Sequence, residues 1–572
     1  MSVDSFSISS TWIHKFGEAL QSRDIDATIS CIHPRGYFRD ILVFSWNNRC
    51  LHGHKKLATY LTNGLAKASV TDVKLESRPG LTPEYGPLTD KLPLRAVSAG
   101  FIFSCAIGIG RGYFTLVSTD LGEWKALVVM MALADIRGHE EIQHEEGVYG
   151  GHTLAWSDVF SERRRAIETN PHVLIIGGGQ TGLNVAARFK QMNITALVVE
   201  KNERIGVLYQ PYPTSWPVFT PRDKMADWLE QYVRSQDLIV WTNSRPLPHP
   251  IYDSSTKRWT VVIDRAGKCV TLNPVHIVVA AGNLGAPRIP VIRDTEVFTG
   301  TTLHCSEYQG GKPFAGKRVI VVGAGNTAAD LCQDLVFHGA QSVTMVQRSA
   351  TWIAAATSAR MMFDRMYPEE LEIDVCDLMA MARPLKLMMK IEKETAEQTL
   401  EEEKATHQGL REAGFNLATK KSFLTLWYER SGGFWLDVGC AELIRSGKVK
   451  VKQGAEIARF KNRSAVFTDG SSLDADTVVY ATSYENITDT MRPVFGDEAI
   501  DRVGPVWGLD EEGELRGCYR PTGHPGLWFA AGEFAVSRPF SKQLVSAKFE
   551  NFPPRFLEMI YHLVLGIEDK GD

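Results

Sequence analysis

Trp12, Phe16 and Leu20 recur at four-residue spacing, which predicts an amphipathic helix near the start of the chain. A second, short helix is expected after Gly53, on Leu57, Tyr60 and Leu61. Strand-like runs then take over at 101–107, 113–118 and 124–132, the last two joined through Asp120-Leu-Gly-Glu123 with glycine at the turn. Helices followed by antiparallel strands predict an α+β unit over residues 1–150. The stretch 138–151, rich in glycine and charge, reads as a linker.

From Val173 onward the pattern alternates short apolar runs with helical periodicity, the mark of an α/β unit with parallel strands. Val173-Leu-Ile-Ile176 and Arg318-Val-Ile-Val-Val322 suit buried strands. Each runs straight into a glycine-rich turn and then a helix. Residues 369–415 predict an inserted helical region, and its run Glu401-Glu402-Glu403-Lys404 reads as a solvated helix face.

Composition narrows the classes. Hydrophobic residues make up 44% and charged residues 23% of 572, ordinary values for a protein with a full-sized core. A net charge of −4 leaves no broad basic surface, so nucleic acid is not expected as a partner. No apolar run is long enough for a membrane-spanning helix; the nearest stretch, 378–389, is interrupted by Arg383 and Lys386. Neither terminus carries a targeting or lipidation signal. The nine cysteines are scattered with no Cys-x-x-Cys, which argues against a disulfide framework, a zinc ribbon or a redox dithiol. A cytoplasmic location and no metal site are expected.

The first turn is Gly177-x-Gly179-x-x-Gly182. Gly177 permits the tight bend, Gly179 lets the backbone approach a pyrophosphate, and Gly182 lets helix and strand pack closely. The helix N-terminus supplies amide donors and a favourable dipole. The next strand ends at Glu200, where a carboxylate can accept ribose hydroxyls, which favours an unphosphorylated ribose such as that of FAD or NAD. The second turn is Gly323-x-Gly325-Asn326-Thr327-Ala328, with alanine as an accepted third residue. Its next strand ends in Gln347-Arg348-Ser349, and a guanidinium there would pair with a 2′-phosphate. Such bonds contribute roughly 1.5–3 kcal/mol, about a ten- to hundredfold preference for NADPH over NADH. Two nucleotide turns in one chain point to a resident flavin reduced by a nicotinamide.

Between the turns lies Phe298-x-Gly300-x-x-x-His304-x-x-x-Tyr308. Here the chain resembles the flavin-containing monooxygenases, whose fingerprint this is. Ala280-Ala281-Gly282, Ala481-Thr482-Ser483-Tyr484, and Gly532-Glu533 followed by Arg538 and Ser541 are similar to further family motifs in the same order. The resemblance covers about residues 170–560. Residues 1–150 resemble the cone-shaped nuclear transport factor 2-like (SnoaL-like) fold in pattern only.

The resemblance implies two nested Rossmann-type domains behind an α+β domain. The FAD-binding domain would comprise 152–315 and 475–572, and the NADPH-binding domain, with its helical insertion, 316–474. FAD would contact Gly177, Gly179, Gly182, Glu200, Gly532 and Glu533. NADPH would contact Gly323, Gly325, Asn326, Thr327, Arg348 and Ser349. The implied reaction places one atom of O2 on a small organic substrate through a flavin C4a-(hydro)peroxide, with secondary metabolism as the implied setting. No catalytic side chain is assigned, and His304 reads as a hydrogen-bonded turn residue at a domain junction. A homodimer is compatible with this plan.

Ketone-oxidising (Baeyer–Villiger) relatives carry Trp followed by Pro or Asp where this chain has Tyr308-Gln309, which leans toward amines, sulfides or α-keto acids. The chain departs from the family after Gly206, where Val207-Leu-Tyr-Gln runs directly into Pro211 and a flavin-proximal stretch is shortened. Ser483 also replaces a glycine. An NADPH oxidase releasing hydrogen peroxide, a Baeyer–Villiger enzyme and a degenerate flavoprotein acting as a binding module therefore stay open.

Overall fold

The computed structural model describes residues 3–89, 91–142, 147–149, 151–205, 216–217, 220–419 and 422–547. Its first unit starts with the helix Ser5–Ser22, capped by the Asp4 carboxylate on the Ser7 amide (3.0 Å) and ended by Arg23 in the left-handed region. Trp12, Phe16 and Leu20 are buried, as their spacing predicts, and Phe16 stacks on Trp12 and meets the edge of Phe101. Burying an aromatic side chain of this size contributes roughly 1.5–3 kcal/mol.

This helix, with Ile25–Ser30 and His54–Ala68, accompanies a seven-stranded sheet. The strand order is Asn48–His52, Ile32–Ile41, Trp124–Ile136, Gly108–Ser118, Arg95–Cys105 and Thr71–Leu75, with Glu84–Pro87 on Arg95–Cys105. Ile32–Ile41, Asn48–His52, Thr71–Leu75 and Glu84–Pro87 went unpredicted. Residues 36–44 are buried without alternation, so they show no period of two.

Two parallel five-stranded sheets follow. The first runs Val240–Trp241, Ala196–Val199, Val173–Ile176, His276–Val279 and Leu527–Phe529. The second runs Thr301–His304, Thr477–Tyr480, Arg318–Val322, Ser342–Gln347 and Val449–Gln453. The central strand of each carries a glycine-rich turn at its end. Thr301–His304 and Thr477–Tyr480 lie in the second sheet, so the boundaries expected at 315 and 475 do not follow the sheets. A strand of only four residues, such as Thr-Thr-Leu-His at 301–304, fits either sheet, and only its partners decide. Two small antiparallel sheets, within 244–272 and 457–474, were not foreseen.

The inserted helices begin earlier than expected, at Ala356–Met366, and continue through Lys404–Glu412. The stretch 378–389 breaks between Met381 and Leu385, and among the described residues no helix is long and apolar enough to cross a membrane. Val375, Leu378 and Ala382 of the insertion pack into the core of the first unit. Glu403 corrects the solvated-face reading of the charge run. It is 7% exposed and accepts from the Ala355 amide and the Ser358 hydroxyl, both at 3.0 Å. Only its neighbours Glu401, Glu402 and Lys404 are exposed.

Candidate functional site

The first glycine turn is fixed by close backbone contacts. Gly177 has φ +112°, and a Cβ there would stand 2.6 Å from the Ala280 carbonyl oxygen. A Cβ on Gly182 would stand 2.0 Å from the Gly177 carbonyl oxygen, so helix and strand touch only because neither residue has a side chain. Gly179 is different. Its backbone is extended (φ −80°), and it starts the helix Gln180–Gln191 with no side-chain cap. The first-turn amides therefore remain available to an anion.

Glu200 is buried beneath this turn. Its carboxylate accepts from the Gly178 amide (2.8 Å) and from the Asn202 amide (2.9 Å) and Nδ2 (2.7 Å). A carboxylate offers about four acceptor positions. Most of Glu200's are thus already used in steadying the turn, which leaves less than the two ribose hydroxyls expected of it would take.

The turn opens into a cavity of about 930 Å³, the size of a site for a large organic ligand. Gly177, Gly179, Glu200, Gly532 and Glu533 line it, together with residues 280–287 and an aromatic wall of Trp427, Phe434 and Trp507. Gly532 has φ +124°, and its carbonyl accepts from Gln180 Nε2 (3.1 Å) and Ser537 Oγ (3.0 Å). Burial pushes the Glu533 carboxyl above its usual range, and the Trp427 indole N–H, which donates to it, pulls it back. The Trp507 indole N–H is buried and has no acceptor among the described residues.

The wall was missed from sequence. Its Trp427 and Phe434 rings stack at 5.5 Å, and Tyr428 stacks on Trp507 at 6.3 Å. Trp427 and Tyr428 sit on a π-helical turn, Leu426–Arg430, ended by Ser431 with φ +48°. Such turns occur often at functional sites. The aromatic density of 423–435 was the available signal, although it reads equally well as core.

At the second turn, Gly323 has φ +130°, and a Cβ there would lie 2.4 Å from the Ala481 carbonyl oxygen. Gly325 starts the helix Asn326–Phe337 without a side-chain cap, and Thr327 lies in its first turn. Asn326 Oδ1 accepts from the Leu436 amide (3.1 Å). Arg348 and Ser349 are exposed beyond the strand Ser342–Gln347. The Arg348 side chain is 79% exposed and meets Glu456 at 3.4 Å, a surface pair that holds it only weakly.

None of the fingerprint residues lines the cavity. Phe298 stacks on Phe460 (4.8 Å), and a Cβ on Gly300 would lie 2.6 Å from the Asp476 carbonyl oxygen. His304 Nδ1 accepts from the Ser306 amide (3.2 Å), so Nε2 carries the proton and donates to the Ser483 carbonyl (3.3 Å). Burial holds this imidazole below its usual pKa. Tyr308 donates to Asp334 (2.7 Å) and stacks on Phe314. These residues fasten the edge of the second sheet. Arg538 turns to Asp377 of the inserted helices (2.6 Å), and the Ser541 hydroxyl donates to the Arg538 carbonyl. The shortened stretch 206–215 lies outside the described residues.

The flavin-binding monooxygenase-like family model matches residues 195–500. Indole-3-pyruvate monooxygenase YUCCA1 of Oryza sativa subsp. japonica is 26% identical over 360 residues, 58% of this chain and 82% of that protein. Probable indole-3-pyruvate monooxygenase YUCCA3 of Arabidopsis thaliana is 28% identical over 375 residues, 60% of this chain and 80% of that one. Among solved structures, an open crystal structure of cyclohexanone monooxygenase aligns with TM-score 0.49 at 14% identity, over 70% of this chain and 89% of the other.

Proposed function

The chain belongs to the flavin-binding monooxygenase-like family and is a flavin-dependent monooxygenase, and from that premise we propose how its two turns divide the work. FAD and NADPH are its cofactors. FAD lies in the cavity at the first turn, against Gly177, Gly179, Gly182, Glu200, Gly532 and Glu533. NADPH lies on the second turn, against Gly323, Gly325, Asn326, Thr327, Arg348 and Ser349. A bound flavin supplies the electron and oxygen chemistry; the protein binds, orients and excludes water. NADPH, a proton, O2 and a small organic substrate yield NADP+, water and the substrate carrying one oxygen atom.

The observation that carries this reading is the position of Phe434. It lines the cavity of the first turn. Its carbonyl oxygen would lie 3.7 Å from a Cβ on Gly325, which starts the helix of the second turn. The two sites thus share one wall residue, as hydride transfer between two bound nucleotides requires. The glycine cradle and the uncapped helix Gln180–Gln191 both fit a dinucleotide in the cavity.

Of the substrate classes expected from Tyr308-Gln309, α-keto acids are the one that the relatives' names contain, and the aromatic wall suits an aromatic member. The first unit, with three helices and a seven-stranded sheet, suits a nuclear transport factor 2-like domain. The test is purification of the chain with FAD, then NADPH consumption over amines, sulfides, ketones and α-keto acids, with peroxide measured alongside. A yellow protein that prefers NADPH and oxygenates one class is expected. Colourless protein that takes up no FAD would overturn the reading.

A further inference from the structure

Arg39 belongs to the first unit, yet it binds three segments far from it in sequence. Its Nε and Nη2 donate to both oxygens of Glu514 at 2.7 Å, and Nη1 donates to the Met381 carbonyl at the end of an inserted helix. Its guanidinium also lies over the Phe540 ring, 5.8 Å from the centroid. Both members of the ion pair are buried, with side-chain exposures of 6% and 3%. A planar fork of five N–H groups can serve these directions at once, which a lysine ammonium cannot do with the same geometry.

Glu514 sits on a hairpin that leads to the cavity. The hairpin 507–516 is laddered by Trp507 N to Arg516 O (2.8 Å), Arg516 N to Gly508 O (3.0 Å) and Asp510 N to Glu514 O (2.9 Å). Its tip is also gripped by Arg49, which donates to both oxygens of Glu512 (2.9 and 2.6 Å). Its base is Trp507 in the aromatic wall. Tyr428, stacked on Trp507, lies within electrostatic reach of both Arg39 and Glu533. The contacts therefore run unbroken from the first unit to the cavity.

We propose that Arg39 is a positioning residue for the first cavity: through Glu514 it holds the hairpin that carries Trp507, and so keeps the aromatic wall closed against water. This rests on the functional reading above, since a water-tight wall matters where reduced oxygen must reach a substrate. When the wall loosens, NADPH, a proton and O2 yield NADP+ and H2O2, with both electrons of each NADPH passing to oxygen and none of that oxygen to substrate. The first unit is thereby a brace for the oxidation site, beyond any separate role of its own.

The test uses the full chain as Arg39→Met, Arg39→Lys and Glu514→Gln. Amide hydrogen exchange of the flavin-free protein is the first readout. In Arg39→Met, exchange over 507–516 and 426–434 should rise roughly tenfold while the helix Gln180–Gln191 is unchanged, and Arg39→Lys should recover part of the protection. In the flavin-loaded protein, peroxide released per NADPH consumed should rise several-fold while flavin reduction by NADPH stays within about twofold. Unchanged exchange in the hairpin would overturn the proposal. So would an unchanged peroxide ratio, or an equal loss in flavin reduction. If Arg39→Met does not fold, Glu514→Gln, which keeps the shape of the pair, carries the same readouts. Failure to take up FAD would overturn the functional reading, while exchange over 507–516 still decides the brace.

Discussion

The turns at Gly177 and Gly323 start alike and end differently. Each leaves a buried central strand through a glycine at positive φ, and each starts an uncapped helix. The first opens into a large cavity: Glu200 is buried beneath the turn, and Gly532, Glu533 and the aromatic wall line the space. The second ends at Arg348 in solvent. On the assignment proposed above, the same local design serves a cofactor that stays and one that comes and goes, and the surroundings make the difference. A cavity can retain its ligand by burial, whereas a turn at the surface selects it by charge.

The sharpest break in the comparison comes at the third glycine. Gly182→Ala would force a Cβ to 2.0 Å from the Gly177 carbonyl, backbone against backbone. A loss of about 4 kcal/mol or more is expected, read as failure to obtain folded protein or a large drop in the denaturant midpoint. The second turn already carries Ala328 there, and Ala328→Gly should cost only about 1 kcal/mol. A well-folded Gly182→Ala would mean that the turns are interchangeable.

Gly179→Ala and Gly325→Ala probe the cradles at positions whose backbone is extended and open to any residue, and a Cβ on Gly325 meets nothing closer than 3.7 Å. Gly179→Ala should fold yet lose bound flavin, because the methyl would sit between the turn and the pyrophosphate. Gly325→Ala should keep its flavin and raise KM for NADPH. Flavin content after gel filtration separates the two, and unchanged content in Gly179→Ala would refute the assignment.

Arg348→Ala should raise KM for NADPH about ten- to hundredfold and leave NADH nearly untouched. Added salt should act in the same direction on the parent protein, because this cation is exposed. Equal effects on both nucleotides would make Arg348 a structural residue.

The smallest effect is expected at Glu533. Its folded pKa lies above the ordinary 4.5, with burial as the main cause. The folded state therefore holds a proton that the unfolded chain has already lost, and stability falls as pH rises from 4.5 toward the folded value. Glu533→Gln should flatten that slope and raise Tm above the window by roughly 2–4 °C in the flavin-free protein. An unchanged Tm–pH profile would show that Glu533 is not desolvated as its place in the cavity lining implies.

Much of the plan is legible in the chain because its causes are local. Trp12, Phe16 and Leu20 mark a helix by their period alone. Gly177 and Gly323 mark turns because their φ values of +112° and +130° exclude side chains, and Ala328 passes for glycine because only close packing is at stake. The fingerprint from Phe298 to Tyr308 identifies the family, although its side chains fasten the second sheet and stay out of the cavity. What its neighbours do is less legible. Glu403 looks solvated in its run of charges, yet it is buried by an amide 48 residues away in sequence.

Local sterics and periodicity thus determined two strand–glycine–helix units and the opening helix. Only the tertiary structure decided that Thr301–His304 and Thr477–Tyr480 join the second sheet. It alone brought Trp427, Phe434 and Trp507 together as one wall, and set Arg39 against Glu514 across 475 residues of chain. A side chain's own neighbours set its backbone conformation, but partners so distant leave no period or spacing in the sequence, and their pairing exists only once the chain has folded.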